Sequence, residues 1–186
     1  MQIEETDLPG VMLVTPRRFG DARGFFAETW NARAFADAGI DALFVQDNHS
    51  VSTQQGTLRG LHFQAPPHAQ GKLVRCGRGR LFDVAVDIRH GSPSYGRWTG
   101  AELSAGNGRM LWIPAGFAHG FVTREAETEI VYKCTDFYAP EADGAIRWDS
   151  CGIDWGLAGD PILSDKDAAA PALTDFTTPF TREAAA

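Results

Sequence analysis

The chain has 186 residues, 44% of them hydrophobic, and a formal net charge of -7. That length suits one domain over residues 1–186 with a sizeable core, and the composition excludes a disordered chain. The negative balance gives no reason to expect nucleic-acid binding, and no apolar run approaches the roughly 18 residues needed to cross a bilayer.

Three cysteines, Cys76, Cys134 and Cys151, share no metal spacing and read as reduced thiols of a cytoplasmic protein. The N-terminus lacks the basic and apolar regions of a signal peptide. In chain order, residues 11–15 predict a strand closed by Pro16. A glycine-bounded turn around Arg23 leads to a second strand, Phe25 to Trp30, that carries Glu28. On the residues alone, Arg23 reads as a turn residue and Glu28 as a solvated charge. Asn31 to Ala38 predicts a helix of about two turns, with Asn31 as its cap and Gly39 as its stop.

The stretch 44–51 alternates, with Gln46 and Asn48 on one face and Asp47 and His49 on the other. Inward amides there bind a ligand or satisfy one another, and the sequence leaves both open. The next strand carries Arg59-Gly60-Leu61-His62-Phe63-Gln64. Strict alternation puts Arg59 and His62 on opposite faces, so a shared pocket requires a bulge at Gly60. Lys72 begins the following strand, a place where a lysine is commonly solvated.

Residues 80–88 alternate cleanly, with Phe82, Val84, Val86 and Ile88 on one face and Asp83, Ala85 and Asp87 on the other. Strands at 98–103 and 110–113 follow. The corner at residues 114–119 delivers His119 to the next strand, and Thr128 to Thr135 carries Tyr132 on its inward face. A buried tyrosine needs a partner for its hydroxyl or a pocket. Residues 138–144 read as a loop, Ser164 as a cap of a short helix, and the tail beyond Leu173 carries few signals.

At least nine short strands with frequent turns predict an all-β fold, a jelly-roll barrel or double-sheet sandwich with a few short peripheral helices. No phosphate loop, dinucleotide fingerprint or serine elbow is present. The Pro-x-Gly-x-x-His corner at 114–119 resembles the second signature of the cupins. Where metal-binding cupins place His-x-His and a glutamate, this chain has His62-Phe63-Gln64 and no nearby glutamate. Two histidines fall short of the three or four ligands zinc or iron takes, so no metal is expected.

Several longer motifs point to one family. They are Val45 to Ser50, Arg59 to Gln64, Gly71 to Arg75, Phe82 to Arg89, Trp112 to Phe121 and Leu163 to Asp167. Together they resemble the dTDP-4-dehydrorhamnose 3,5-epimerases over nearly the whole chain. The resemblance implies a cupin-like fold, a homodimer and a cofactor-free isomerase of dTDP-L-rhamnose synthesis. Its substrate would be dTDP-4-dehydro-6-deoxy-D-glucose.

The same resemblance assigns His62 as base, Asp167 as its orienting carboxylate and Tyr132 as proton donor. Lys72 is the candidate for stabilising the enolate oxygen. Arg23, Glu28, Gln46, Asp47, Asn48, Arg59, His119, Asp143 and Lys166 match positions that hold the nucleotide sugar, and Tyr138 would stack on the thymine. Asp143 stands where a glutamate is expected. Competing readings are a mono-epimerase acting at C3 or C5 alone, a metal-dependent cupin, and a sugar-nucleotide binder without catalysis.

Overall fold

Past Arg80, the strand at residues 80–87 alternates a wholly apolar face with one that sets Leu81 and Ala85 beside two aspartates, and a strand that apolar belongs between two packed layers. A computed structural model describes residues 1–181 and puts it there. The elements run β1 (Gln2–Glu5), β2 (Met12–Thr15), β3 (Arg18–Asp21), β4 (Gly24–Ala27), α1 (Ala32–Ala36), β5 (Gln46–Ser52), β6 (Leu58–Gln64) and β7 (Lys72–Arg78). They continue with β8 (Arg80–Asp87), β9 (Trp98–Ser104), β10 (Met110–Ile113), β11 (Phe117–Thr123), β12 (Thr128–Cys134), β13 (Asp143–Ala145) and α2 (Asp165–Ala168).

One sheet has the order β1-β2-β10-β7-β12-β5 and the other β13-β6-β11-β8-β9. Every pairing within them is antiparallel. The sheets face each other in the cupin-like jelly-roll arrangement the motifs imply. Leu81 and Ala85 of β8 turn toward the large sheet and pack with Val74, Leu111, Ile113 and Ile130. Val84, Val86 and Ile88 turn outward, where Ile146, Trp155 and Phe180 cover them. Burying such side chains is worth roughly 1.5–3 kcal/mol each, so the chain after β13 is part of the core.

The expected helix forms with Asn31 as its cap, its side chain accepting from the Ala34 N–H, and it buries Phe35 against Trp112 and Leu73 of the large sheet. Gly39 follows with φ 89°, the left-handed conformation that a helix stop favours. Ser164 caps α2 by accepting from the Asp167 N–H. Residues 105–109 join β9 to β10 across the two sheets.

Three short strands were not foreseen. β1, β3 and β13 span three or four residues, too few for an alternation to show. The loop expected at 138–144 therefore ends in a strand, β13, which pairs with β6. The tail also departs from expectation: the rings of Phe176 and Phe180 sit 5.3 and 5.9 Å from that of Phe63. Isolated aromatics in a polar tail give no periodic signal. Residues 182–186 lie outside the described chain.

Candidate active site

The decisive local feature is the irregularity at Gly60. On β6, His62 pairs with His119 of β11, and Arg59 pairs with Phe121. Three steps on one strand thus match two on the other, which is a bulge. Gly60 has φ 133°, and a Cβ there would lie 2.5 Å from the Gly120 Cα. Only glycine fits. The extra residue turns Arg59 and His62 toward the same interior cavity, where Lys72, His119 and Tyr132 also face.

His62 Nε2 lies 2.5 Å from Asp167 Oδ1, so α2 supplies the carboxylate behind the ring. The other Asp167 oxygen accepts the Gly60 N–H at 3.4 Å. Burial alone would raise the Asp167 pKa, but bonding to His62 and to the Gly60 N–H outweighs it and holds the carboxyl below its usual range. This pair leaves the His62 side chain 33% exposed, open to the cavity.

His119 repeats the arrangement one strand away. Its Nε2 is 2.7 Å from Asp83 Oδ1, and both groups are buried. Burial pushes the Asp83 carboxyl up, opposed by His119 and Lys72. Lys72 is buried, contrary to the commoner solvated placement, because β7 lies inside the large sheet between β10 and β12. Desolvation pulls its pKa down, against the nearby Cys134, Asp143 and Asp83. Tyr132 comes from the large sheet, opposite His62, and burial raises its pKa. No described residue hydrogen-bonds its hydroxyl, which leaves the pocket among the two roles open to it.

The cavity widens to about 410 Å³ toward a mouth formed by Gln46, Asn48, Tyr138, Asp143 and Lys166. The two amides satisfy one another, Gln46 Nε2 donating to Asn48 Oδ1 at 3.1 Å, and both also line the cavity. Lys166 pairs with Asp143. Asp47 points the other way and meets Lys133 at 2.9 Å. Arg23 and Glu28 are exposed near the β3–β4 hairpin, where Arg23 pairs with Asp21. Within one chain these three do not join the cavity.

Sequence reasoning passed over Asp83 as a site residue. The signal was present, since Asp83 and Asp87 share a face of β8 with the apolar Leu81 and Ala85. Among the described residues, no group of three or more His, Cys, Asp or Glu is arranged to hold a metal ion. No described helix is long and apolar enough to cross a membrane.

A cupin-like sandwich with acid–base groups on both walls of its cavity defines a class of site able to take a proton from one face of a ligand and return one to the other. A family model described as dTDP-4-dehydrorhamnose 3,5-epimerase matches residues 5–175. The chain is 52% identical to the enzyme of that name from Salmonella typhimurium, over 93% of this chain and 96% of the relative. It is 53% identical to the Pseudomonas aeruginosa enzyme, over 94% and 97%. The crystal structure of the Legionella pneumophila epimerase in complex with dTDP-4-keto-L-rhamnose superposes with TM-score 0.94 at 45% identity, covering 99% of each chain. A 3'-monoepimerase from Streptomyces bikiniensis in complex with dTDP-quinovose superposes with TM-score 0.86 at 33% identity, over 91% of this chain and 87% of that one. The chain belongs to the dTDP-4-dehydrorhamnose 3,5-epimerase family.

Proposed function

We propose that the protein inverts C3 and C5 of dTDP-4-dehydro-6-deoxy-D-glucose to give dTDP-4-dehydro-L-rhamnose. The observation that carries this reading is the opposition of His62 and Tyr132. Inverting a carbon beside a ketone requires removing a proton from one face and returning one to the other. His62 stands on the small sheet and Tyr132 on the large one, with a shared cavity between them.

His62 takes the proton, and the ionised Asp167 orients the ring and stabilises its charged form. Electrons from the broken C–H bond move to the C4 oxygen. Lys72 stabilises that enolate, with His119 beside it. Tyr132, its pKa raised by burial, stays protonated at neutral pH and donates to the opposite face. The chemistry needs no redox step and no cofactor. Arg59 and Lys166 suit the pyrophosphate, and Gln46, Asn48, Asp143 and Tyr138 the nucleoside end.

The protein acts as a single cytoplasmic domain over residues 1–186, paired as a homodimer. The β3–β4 hairpin forms its own two-stranded sheet with Phe19, Phe25 and Phe26 at 52–69% exposure. Exposed aromatics on a projecting ribbon suit contact with a second copy. Arg23 and Glu28 then meet the nucleotide across the interface, which accounts for their distance from their own cavity. Asp47, on the outer face of β5, is likewise assigned to the interface side. Mixing inactive His62→Ala with inactive Arg23→Ala protein should regenerate activity; no recovery in a verified mixed dimer would place Arg23 outside the partner's site.

The defining test is solvent exchange. In D₂O, the chelator-treated protein should place deuterium at both C3 and C5 of the sugar, and His62→Ala should place none. Label at one carbon alone would make the protein a mono-epimerase. Absence of label at either carbon would end the proton-transfer reading.

A further inference from the structure

We propose that Gln64 is a positioning residue that fixes Tyr138 at the cavity mouth, and so sets affinity for the flat base of the nucleotide. The inference rests on the epimerase reading above and extends it to a residue without an assigned role. Gln64 lies two residues beyond His62, at the end of β6, and is 4% exposed.

Its side-chain amide is fully used. Nε2 donates to the His68 carbonyl at 2.7 Å and to the Phe137 carbonyl at 3.1 Å. Oε1 accepts the Ala139 N–H at 2.9 Å. From the opposite sheet, Gln46 Oε1 accepts the Tyr138 N–H at 2.8 Å. Two carboxamides from two sheets therefore hold three consecutive residues. The backbone of residues 136–138 makes no backbone–backbone bond among the described residues, so these amides replace a strand ladder.

The segment they hold carries Tyr138, 58% exposed, with its hydroxyl 3.5 Å from Asp143. A ring so exposed has little packing of its own to orient it. Its direction comes from the backbone beneath it, and the backbone's from Gln64. Only a carboxamide offers two donors and an acceptor at that spot. A glutamate would set an oxygen against two carbonyls, and a methionine would offer none of the three bonds.

The test is a double-mutant cycle of Gln64→Met and Tyr138→Ala, read as kcat and KM for the nucleotide sugar and as Kd for dTDP, with thermal unfolding as control. Weakening the base–aromatic stack through Gln64→Met should raise KM and Kd about tenfold. The value of kcat should stay within about twofold, because the groups around the sugar are untouched. In the Tyr138→Ala background the same change should add little, since the two residues act through one contact.

Unchanged KM and Kd in folded Gln64→Met overturn the proposal. So does full additivity, which would mean Gln64 acts elsewhere, and so does a fall in kcat alone, which would make it a support for His62. Should Gln64→Met fail to fold, Gln64→Glu enters the same cycle, since it keeps the acceptor for Ala139. Weakened dTDP binding in a protein whose wild type exchanges neither C3 nor C5 hydrogens would remove the epimerase reading and leave the positioning role standing.

Discussion

His62 and His119 face each other across adjacent strands, and each bonds through Nε2 to an aspartate. The likeness ends at the carboxylates. Asp167 has both oxygens bonded and lies below its usual pKa. Asp83 has one oxygen, Oδ2, with no partner among the described residues, and burial pushes its pKa up. The first pair borders an open cavity, while the second is 9% and 0% exposed. A His–Asp pair is thus not one device. Bonds to the second oxygen and access to the cavity decide whether it suits a base or a fixed donor beside the sugar.

The largest expected effect separates the two histidines. His62→Ala should lower kcat by about 10²–10⁴-fold, the worth of a positioned base, whereas His119→Ala should cost about tenfold. Equal losses would break the comparison. Asp167→Asn keeps the shape behind His62 but removes the charge, and should lower kcat about a hundredfold. A loss under threefold would mean that bulk, not charge, matters there.

The next effect is read against pH. In the proposed mechanism Lys72 is protonated when it stabilises the enolate; burial lowers its pKa, and Asp83 is among the groups opposing that shift. Removing the Asp83 charge in Asp83→Asn should lower the Lys72 pKa further. Activity should then fail at lower pH on the alkaline side of the profile. An unmoved alkaline limb would detach Asp83 from Lys72.

Asp87 sharpens the comparison as a control on the same face of β8. Arg89, Ser92 and Ser94 all donate to it, and these bonds outweigh desolvation, holding its pKa at about 2 against an ordinary 3.8. A depressed folded pKa gives stability that is present above pH 3.8 and lost as pH falls through about 2. The difference is worth about 2 kcal/mol, so Asp87→Asn should lose stability of that order at neutral pH and leave kcat unchanged below its unfolding temperature. Thermal unfolding at pH 7 and pH 2 measures the stability change and an activity assay the kcat; equal stability of wild type and variant at pH 7 would contradict the bonding scheme.

Alternation along β12 made its inward face legible, and Tyr132 with it, whereas on β8 the more apolar face turned outward under the later chain and the face with Asp83 turned inward. The caps at Asn31 and Ser164 were readable because capping is local chemistry. Lys72 was not, since a strand-end lysine is solvated unless the strand lies mid-sheet, and sheet order is a long-range property. Arg59 and His62 could share a pocket only through a bulge, which the glycine allows without announcing. The three-residue β13 and the packing of Phe176 and Phe180 left no periodic trace.

By itself, the sequence determined the class of fold, the inward face of β12, and through its motifs the family and the candidate groups for moving a proton. The tertiary structure alone decided that His62 and Tyr132 stand on opposite walls, how α2 sets Asp167 behind His62, and that Gln64 holds the segment carrying Tyr138. The physical reason is distance along the chain. Local propensity and alternation act over a few residues, whereas these contacts join residues roughly 70–100 positions apart, where only sheet order and register bring them together.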